Sequence, residues 1–191
     1  MQVSLNRNSA AGFSLLEVTI AISIMAGALV TLGQMLGVSI TNNRTARRLT
    51  YATVLAEQKV EQLRGLSWGF DSLGLSVTDT STDTAASVET PMGGTGLSAS
   101  PAGTLTRNTD GWVDYVDRLG NVLGGGPSLL PKTAYIRRWA IEPLATNPDN
   151  TIVIHVLVTT RLDRGSADSV GSVARWPDEV RLVSMKTRKA Q

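Results

Sequence analysis

The first candidate for chemistry is a carboxylate that stands within an apolar segment close to the start of the chain. From Phe13 to Ile40 the sequence contains no Lys or Arg, and Glu17 is the only ionisable side chain. A carboxylate near the core of a membrane costs about 2.5 kcal/mol or more, so such residues are rare and usually have a partner. We therefore expect Glu17 to have a functional reason for its place.

The second candidate is the peptide bond between Gly12 and Phe13. A secretory signal peptide places its small-residue cleavage site after the apolar segment. Here the small residues Ala10, Ala11 and Gly12 come before it. A protease that recognises this glycine would cut on the cytoplasmic side and leave the apolar segment on the mature chain, beginning at Phe13.

The element that must position Glu17 is the apolar segment itself. As a helix, Phe13–Ile40 would be about 42 Å long, which exceeds the ~30 Å hydrocarbon core of a bilayer. This length predicts a transmembrane helix. Gly33 and Gly37 are spaced so that two membrane helices could approach closely along one face. The alternative is that small residues are simply common in membrane helices.

The start of the apolar segment resembles the processing and methylation motif of type IV pilins and of the related pseudopilins. The match covers roughly residues 7–40 and depends on Gly12, Phe13 and Glu17, the fifth residue after the implied cut. The resemblance implies cleavage after Gly12 and N-methylation of Phe13 by a membrane-embedded prepilin peptidase and N-methyltransferase. It also implies that an inner-membrane assembly platform moves the subunit into a filament with other pilin subunits.

The filament that the resemblance implies gives Glu17 a physical role. Apolar helices pack at the centre of such a filament, where an unpaired carboxylate or ammonium group would be costly and pairing neutralises both. We therefore expect Glu17 to form an assembly salt bridge with the amino terminus of Phe13, in a neighbouring subunit or its own. The alternative is a carboxylate at the edge of a plain anchor helix, reaching water.

The charges that flank the apolar segment disagree with the orientation that the resemblance implies. Arg44, Arg47 and Arg48 follow the segment, whereas Arg7 is the only basic side chain before it. Basic flanks tend to stay in the cytoplasm, so this rule places the C-terminal part there, whereas the resemblance places it in the periplasm. We follow the motif because it is the more specific of the two signals.

Beyond the apolar segment the helical pattern continues and becomes amphipathic. From Thr41 to Arg64 apolar residues recur at helical spacing, which places them on one face. The stripe consists of Leu49, Ala52, Ala56, Val60 and Leu63. Gly65 stands where a C-terminal cap belongs, so we predict one helix over about residues 14–64. The stretch Leu55–Arg64 also resembles a segment of PilV-type minor pilins.

The predicted organisation has five parts. They are a leader (1–12), a transmembrane and assembly helix (13–40), its amphipathic continuation (41–66), a flexible loop (67–111) and an antiparallel β-sheet domain (112–191). The loop is assigned by composition, because Ser, Thr, Gly and Ala dominate it and bury little surface. In pilins this segment is variable, so partner contacts and a purely solvated loop both remain open.

The last part of the chain reads as β structure. Alternating or β-branched patterns predict strands in Trp112–Asp117, Tyr135–Glu142, Thr151–Thr160 and Glu179–Lys186, with a turn at Asn147–Asn150. We expect an antiparallel sheet of three or four strands that buries the helix stripe. The fold class is therefore α+β and pilin-like, with a long N-terminal helix whose second half packs against a small antiparallel sheet.

Few other residues offer chemistry. His155 is the only histidine and lies in the strongest strand, where a structural role is expected. The chain has no cysteine, so a zinc site with the usual nitrogen and sulfur ligands is excluded. Asp110, Asp114 and Asp117 lack the spacing of a calcium loop, and we expect them in a solvated loop. No metal, cofactor or enzymatic activity is predicted.

The charge balance argues against a nucleic-acid partner. The chain carries 18 basic and 16 acidic side chains, and loss of the leader would remove Arg7. A modest basic set could still touch DNA, and it consists of Arg137, Arg138, Lys186, Arg188 and Lys189. The near balance and the lack of interleaved aromatic residues argue against this partner.

These observations predict a structural subunit rather than an enzyme. The leading expectation is a minor pilin of the type IV pilus, held in the inner membrane by one helix with a periplasmic C-terminal domain before it enters an extracellular pilus. A type II secretion pseudopilin in a periplasmic pseudopilus shares every motif used above. A different class, a membrane-anchored periplasmic binding or enzymatic domain, would keep its leader.

Overall fold

The computed structural model describes residues 12–84, 94–161 and 179–188. The predicted leader before Gly12, the basic tail residue Lys189 and parts of the predicted loop and sheet domain lie outside these ranges. The chain divides into two units, Met1–Arg44 and Thr45–Gln191. A single helix, α1, contributes to both and runs from Leu15 to Gly65.

The helix begins where the sequence supplies a cap. The Ser14 carbonyl accepts the first helical hydrogen bond from the Val18 N–H at 3.2 Å, and the Ser14 hydroxyl oxygen accepts from the Leu16 N–H at 3.3 Å. A serine in this position satisfies N–H groups that the helix cannot. Within the first unit every described side chain of the helix is exposed.

In the second unit the helix buries one face. The buried residues are Ala52, Leu55, Ala56, Lys59, Val60 and Leu63. The predicted stripe is therefore confirmed except at Leu49, which is only half-buried. The helix ends at Gly65. This glycine does not adopt the left-handed conformation of a glycine cap, because its φ is not among the positive values.

In the part of the chain that the structure describes, the sheet has five strands rather than three or four. They are β3 (Val113–Val116), β4 (Val122–Gly124), β5 (Tyr135–Pro143), β6 (Thr151–Thr160) and β7 (Glu179–Thr187). Their order is β4-β3-β5-β6-β7, and every neighbouring pair is antiparallel. The count differs from the expectation because the three-residue strand β4 pairs with the predicted strand β3 and adds a fifth strand.

Two short strands precede this sheet, inside the segment predicted as a loop. Strand β1 (Trp68–Phe70) pairs with β2 (Ser76–Thr78) in a separate two-stranded sheet. The Asp71 carboxylate holds the turn by accepting from the N–H groups of Leu73 and Leu75 at 2.9 and 2.8 Å. Strands of three residues carry too little pattern to be recognised in a sequence rich in small polar residues.

The main core lies between the second half of the helix and one face of the sheet. It includes Leu55 and Leu63 from the helix and Trp139, Ile154 and Val156 from the central strands. The chain thus has an α+β layout, in which one long N-terminal helix packs against an antiparallel sheet. A smaller cluster of Val113, Tyr115 and Ile136 covers the other face of β3 and β5.

Candidate assembly sites

The predicted cleavage site lies just ahead of the helix. Gly12, Phe13 and Ser14 precede the helical residues, and the Phe13 side chain is 83% exposed. The Gly12–Phe13 bond is therefore outside the helical hydrogen-bond ladder. Glu17 lies in the first helical turn, where its negative charge interacts favourably with the helix dipole.

The helix that carries Glu17 presents an apolar surface on all sides in the first unit. Large apolar side chains from Phe13 to Ile40 are exposed, from Val18 at 44% to Leu15 at 87%. Among the described residues, α1 is the one helix long and apolar enough to cross a membrane. Such a surface is stable only when lipid or other apolar helices cover it.

Most hydroxyl groups on this surface are satisfied within the helix. Thr19 donates to the Leu15 carbonyl, Ser23 to the Thr19 carbonyl and Thr31 to the Ala28 carbonyl, each at 2.8 Å. These side chains therefore need no water or partner when the helix is in an apolar medium. This feature follows from threonine and serine chemistry and was missed in the sequence analysis.

Glu17 differs from these hydroxyl residues. Within the described ranges its carboxylate takes part in no ion pair. In an apolar medium, a lone carboxylate on an apolar helix is costly unless a polar group pairs with it. Because the described part of the chain supplies no ion-pair partner, another group must provide one.

Gly33 and Gly37 leave an open face on the same helix. A Cβ atom built on either glycine would have no heavy atom within 4 Å, apart from its own turn of helix. The two glycines therefore pack against no other part of the described chain. They are four residues apart, which places them on the same side of the helix. They remain available for contact with another helix, as the spacing predicts.

The second unit contains a buried ion cluster formed by Lys59, Asp114 and Arg137, which the sequence analysis missed. Asp114 Oδ2 lies 2.7 Å from Lys59 Nζ and 2.7 Å from Arg137 Nη2. All three side chains are at least 95% buried. The cluster joins the helix to strands β3 and β5.

Neutral groups complete the coordination of the two cations. Arg137 donates through Nη1 to the Leu55 carbonyl at 3.0 Å, and Lys59 donates to the Thr84 carbonyl. Lys59 Nζ also lies 4.1 Å from the centre of the Trp139 ring, a contact that favours a cation. The helix and the sheet are thereby tied at several points around one carboxylate.

The buried ion cluster carries more positive than negative charge. Burial lowers the pKa of Lys59 to about 8, the Asp114 carboxylate opposes this shift, and the Arg137 guanidinium adds to it. Desolvation of an ammonium group favours its neutral form, which explains the direction. The cluster therefore fixes the helix against the sheet at an electrostatic cost.

One expectation about charged residues is wrong. Asp114 was expected in a solvated loop with Asp110 and Asp117, but it lies in β3 and is fully buried. Arg137 and Arg138 belong to the basic set that could touch DNA, a partner against which the charge balance argues, and both are buried in β5. These two arginines cannot form a surface for DNA.

The sequence contained a signal for this cluster. Lys59 follows Ala56 by three residues and precedes Leu63 by four, so it falls on the apolar stripe. A lysine on a buried face requires a buried anion. Asp114 likewise stands between apolar residues, Val113 and Tyr115, in a predicted strand. Only the tertiary fold reveals that Lys59 and Asp114 meet.

The basic residues at the end of β7 also have structural roles. Lys186 donates to the carbonyl groups of Arg64 and Leu66, where the helix ends, and lysine in this place satisfies free carbonyls. Arg188 stacks on the Trp68 ring at 3.7 Å and donates to the Val77 carbonyl at 2.7 Å. Burial lowers the pKa of Lys186.

His155 lies in β6 and is half-buried. Its Nδ1 atom is 3.3 Å from a guanidinium nitrogen of Arg181, and its Nε2 atom is 3.8 Å from a Glu142 carboxylate oxygen. Burial lowers the pKa of His155, the Glu142 carboxylate opposes this shift and the Arg181 guanidinium adds to it. In the described ranges no group of three or more His, Cys, Asp or Glu residues is arranged to hold a metal ion.

The Gly12–Phe13 bond thus lies ahead of an apolar helix, and Glu17 lies in the first turn of that helix. The second half of the same helix is packed against the sheet. This arrangement can support processing and helix packing. In comparisons with known proteins, no family model, no curated protein and no solved structure matches the chain.

Proposed function

We propose that this chain is a minor pilin subunit of the type IV pilus. A prepilin peptidase removes residues 1–12, and the same enzyme methylates the new amino group of Phe13. The mature subunit then leaves the inner membrane and enters or primes a filament together with other pilin subunits. The protein acts by packing, and the proposal involves no cofactor, no metal and no enzymatic activity.

The observation that carries this proposal is the position of Glu17. It lies four residues after Phe13 on a helix whose other side chains up to Ile40 are uncharged, and no described group of its own chain pairs with it. Cleavage before Phe13 creates an ammonium group at the same end of the helix. In the apolar centre of a filament, the carboxylate and the ammonium group neutralise each other.

The exposed apolar surface of the helix supports the same proposal. An anchor helix in lipid needs about 20 apolar residues, and Phe13–Ile40 provides 28 residues with one acidic side chain. The excess length is useful to a helix that packs among other helices after leaving the bilayer. Gly33 and Gly37, which contact nothing in the described chain, offer places for such packing.

The proposed location is the inner membrane with the C-terminal unit in the periplasm, followed by the extracellular pilus. The charges of Arg44, Arg47 and Arg48 favour the opposite orientation. A fusion of alkaline phosphatase to the C-terminus tests this point, because the enzyme is active only when it is exported. Low phosphatase activity with a stable fusion would contradict the proposed orientation.

A type II secretion pseudopilin is the second candidate, since it uses the same motif at Gly12, Phe13 and Glu17. Neighbouring genes and cell fractionation distinguish the pilin from the pseudopilin. A pilin should be found in sheared surface pili, whereas a pseudopilin should be found only in the periplasm and inner membrane. A membrane-anchored periplasmic domain, of binding or enzymatic function, is the third candidate and would retain its first 12 residues.

Mass spectrometry of the full chain purified from its own membranes tests the proposal. The expected mass is that of a chain beginning at Phe13 with one added methyl group. Gly12→Val should block cleavage, because the enzyme must accept a residue without a side chain next to the cut. Ala10→Val is the matched control and should be processed normally. A wild-type chain that begins at Met1 would contradict the proposed function.

A further inference from the structure

A groove lies in the second unit between β1 and the end of β7, and we call it the β1/β7 groove. Its volume is about 650 Å³. Apolar side chains that face solvent line part of it, including Val77 at 41% exposure and Met185 at 63%. Gly69 also lines the groove, and because it has no side chain it leaves this part of the groove open. This groove is a place where an apolar side chain of a partner could be buried.

The charged residues that line the β1/β7 groove are all basic. Arg64 and Lys186 lie on its wall, and among the described residues no acidic side chain lines it. The hydrogen bonds of Lys186 go to uncharged carbonyl groups, and in the described ranges it has no ion pair. Within the described residues the Arg64 guanidinium pairs with Glu61 of its own chain at 3.0 Å, in an exposed pair one turn away, which contributes little. The groove therefore suits a partner that brings carboxylates.

A surface with the complementary chemistry lies on the outer side of the same helix. We call it the acidic helix face, and it consists of Tyr51, Val54, Glu57, Gln58 and Glu61. All five side chains are exposed, Tyr51 and Val54 at 46% each. Val54, Glu57, Gln58 and Glu61 lie opposite the buried stripe of the helix, since the helical period brings these positions to one side. Tyr51 lies at the edge of this face and stacks on Tyr135 of β5, with the ring centres 6.2 Å apart.

The spacing of the charges matches between the two surfaces. Glu57 and Glu61 are four residues apart, so their Cβ atoms are about 6 Å apart along the helix. Lys186 Nζ bonds to the backbone carbonyl of Arg64 at 2.5 Å, and the Arg64 charge adds to the effect of burial in lowering the pKa of Lys186, so the two cations lie in the same neighbourhood. Two carboxylates one turn apart can thus meet these two cations, and Val54 is the exposed apolar side chain on the same face of the helix.

We propose that the β1/β7 groove receives the acidic helix face of a second copy of this chain. The contact is heterologous, because the acidic helix face of one copy meets the β1/β7 groove of the next. Each copy carries both surfaces. A heterologous contact that does not close into a ring extends into a helical filament. The inference rests on the proposed function, because it specifies how successive subunits touch in that filament.

Cross-linking in cells tests this contact, and the absence of cysteine from the chain makes the test clean. Two differently tagged full-length copies are expressed together, one with Val54→Cys and one with Met185→Cys, and treated with a short thiol-reactive cross-linker. We expect a dimer that carries both tags. Either variant alone should give at most one tenth of this product. Leu129→Cys, another exposed apolar position outside the groove, replaces Met185→Cys as the control.

Charge reversal provides an independent test on the same cross-link. Glu57→Lys or Arg64→Glu in both copies should reduce the yield at least fivefold, because like charges then meet at the contact. The two changes together should restore at least half of it, since the pair is recreated with opposite signs. Glu142→Lys makes the same charge change outside the groove and should leave the yield unchanged.

The outcomes separate this inference from the proposed function. A dimer through two Val54→Cys copies, or equal yield with Leu129→Cys, would overturn the heterologous contact. Processed chains that enter pili without the Val54–Met185 product would also overturn it, while the proposed function stands. The N-terminal mass is read on the same sample, so a retained leader with the expected cross-link would refute the proposed function and leave the contact supported.

Discussion

Lys59 Nζ lies 2.7 Å from Asp114 Oδ2, and this pair joins the long helix to strand β3 inside the protein. Arg137 approaches the same oxygen from β5. A buried ion cluster of this kind is weak evidence for stability, because desolvation offsets the attraction. Its geometry instead specifies one position of the helix against the sheet, since only one alignment pairs all three charges.

The first prediction concerns loss of the shared carboxylate. Asp114→Asn removes the one carboxylate that contacts both Lys59 and Arg137 in the described residues, which should cost about 3–5 kcal/mol in the free energy of unfolding. Urea denaturation of the full chain in detergent micelles, followed by tryptophan fluorescence, measures the loss. Asp110→Asn is the control and should stay within about 0.5 kcal/mol, since Asp110 is exposed. A similar small change for Asp114→Asn would show that the cluster does not hold the helix.

The second prediction concerns the surplus positive charge. Lys59→Met leaves the Asp114–Arg137 pair intact and keeps an apolar stem against Trp139, so the chain should lose little stability at pH 7 or gain up to about 2 kcal/mol. The same denaturation experiment measures it. A loss larger than that of Asp114→Asn would mean that Lys59 is the essential member of the cluster.

The third prediction follows from the pKa of Lys59, which burial lowers from 10.5 to about 8. Between these pH values the unfolded chain binds more protons than the folded chain, so the free energy of unfolding should rise as the pH increases through this window. The full rise from this residue is on the order of 3 kcal/mol. Stability measured from pH 7 to 10.5 should show it in the wild type.

The control for this pH dependence is Lys59→Met. Burial also lowers the pKa of Lys186 and raises those of Tyr115 and Tyr135, so other groups change stability in the same range. The difference between wild type and Lys59→Met isolates the contribution of Lys59. A difference that stays constant from pH 7 to 10.5 would contradict the lowered pKa.

The sequence was sufficient to predict those elements that carry a strong local pattern. The helix, the long strands β5 and β6, and the turn between them follow from the spacing of apolar residues and from Asn147-Pro148. The pair β1–β2 was not predicted, and of the pair β3–β4 only β3 was predicted. Strands of three or four residues carry little pattern of their own, because their pairing depends on the tertiary fold. The meeting of Lys59, Asp114 and Arg137 depends on contacts between residues far apart in the chain, which no local pattern encodes.

The fourth prediction concerns Lys186, which bonds to the carbonyls of Arg64 and Leu66 at the end of the helix. Lys186→Met keeps the length of the side chain but removes the donor, so the last helical turn should open more readily. Loss of a hydrogen bond from a charged group costs about 1.5–3 kcal/mol. Amide hydrogen exchange of residues 60–66 measures the opening. Arg181→Met, on the exposed side of the same strand, should leave that exchange unchanged.

The last prediction concerns Glu17 itself. Glu17→Val removes the carboxylate but keeps the helix apolar, so the chain should insert into the membrane and lose its leader as before. Incorporation into filaments should fall at least tenfold, because the ammonium group of Phe13 would enter the apolar centre without a counter-charge. Ser23→Val is the matched control, because its hydroxyl already bonds within its own helix. Quantitative immunoblots of sheared filaments and of membranes measure both steps, and normal incorporation of Glu17→Val would refute the pairing role. If that variant also kept its leader, Glu17 would act in recognition by the protease instead.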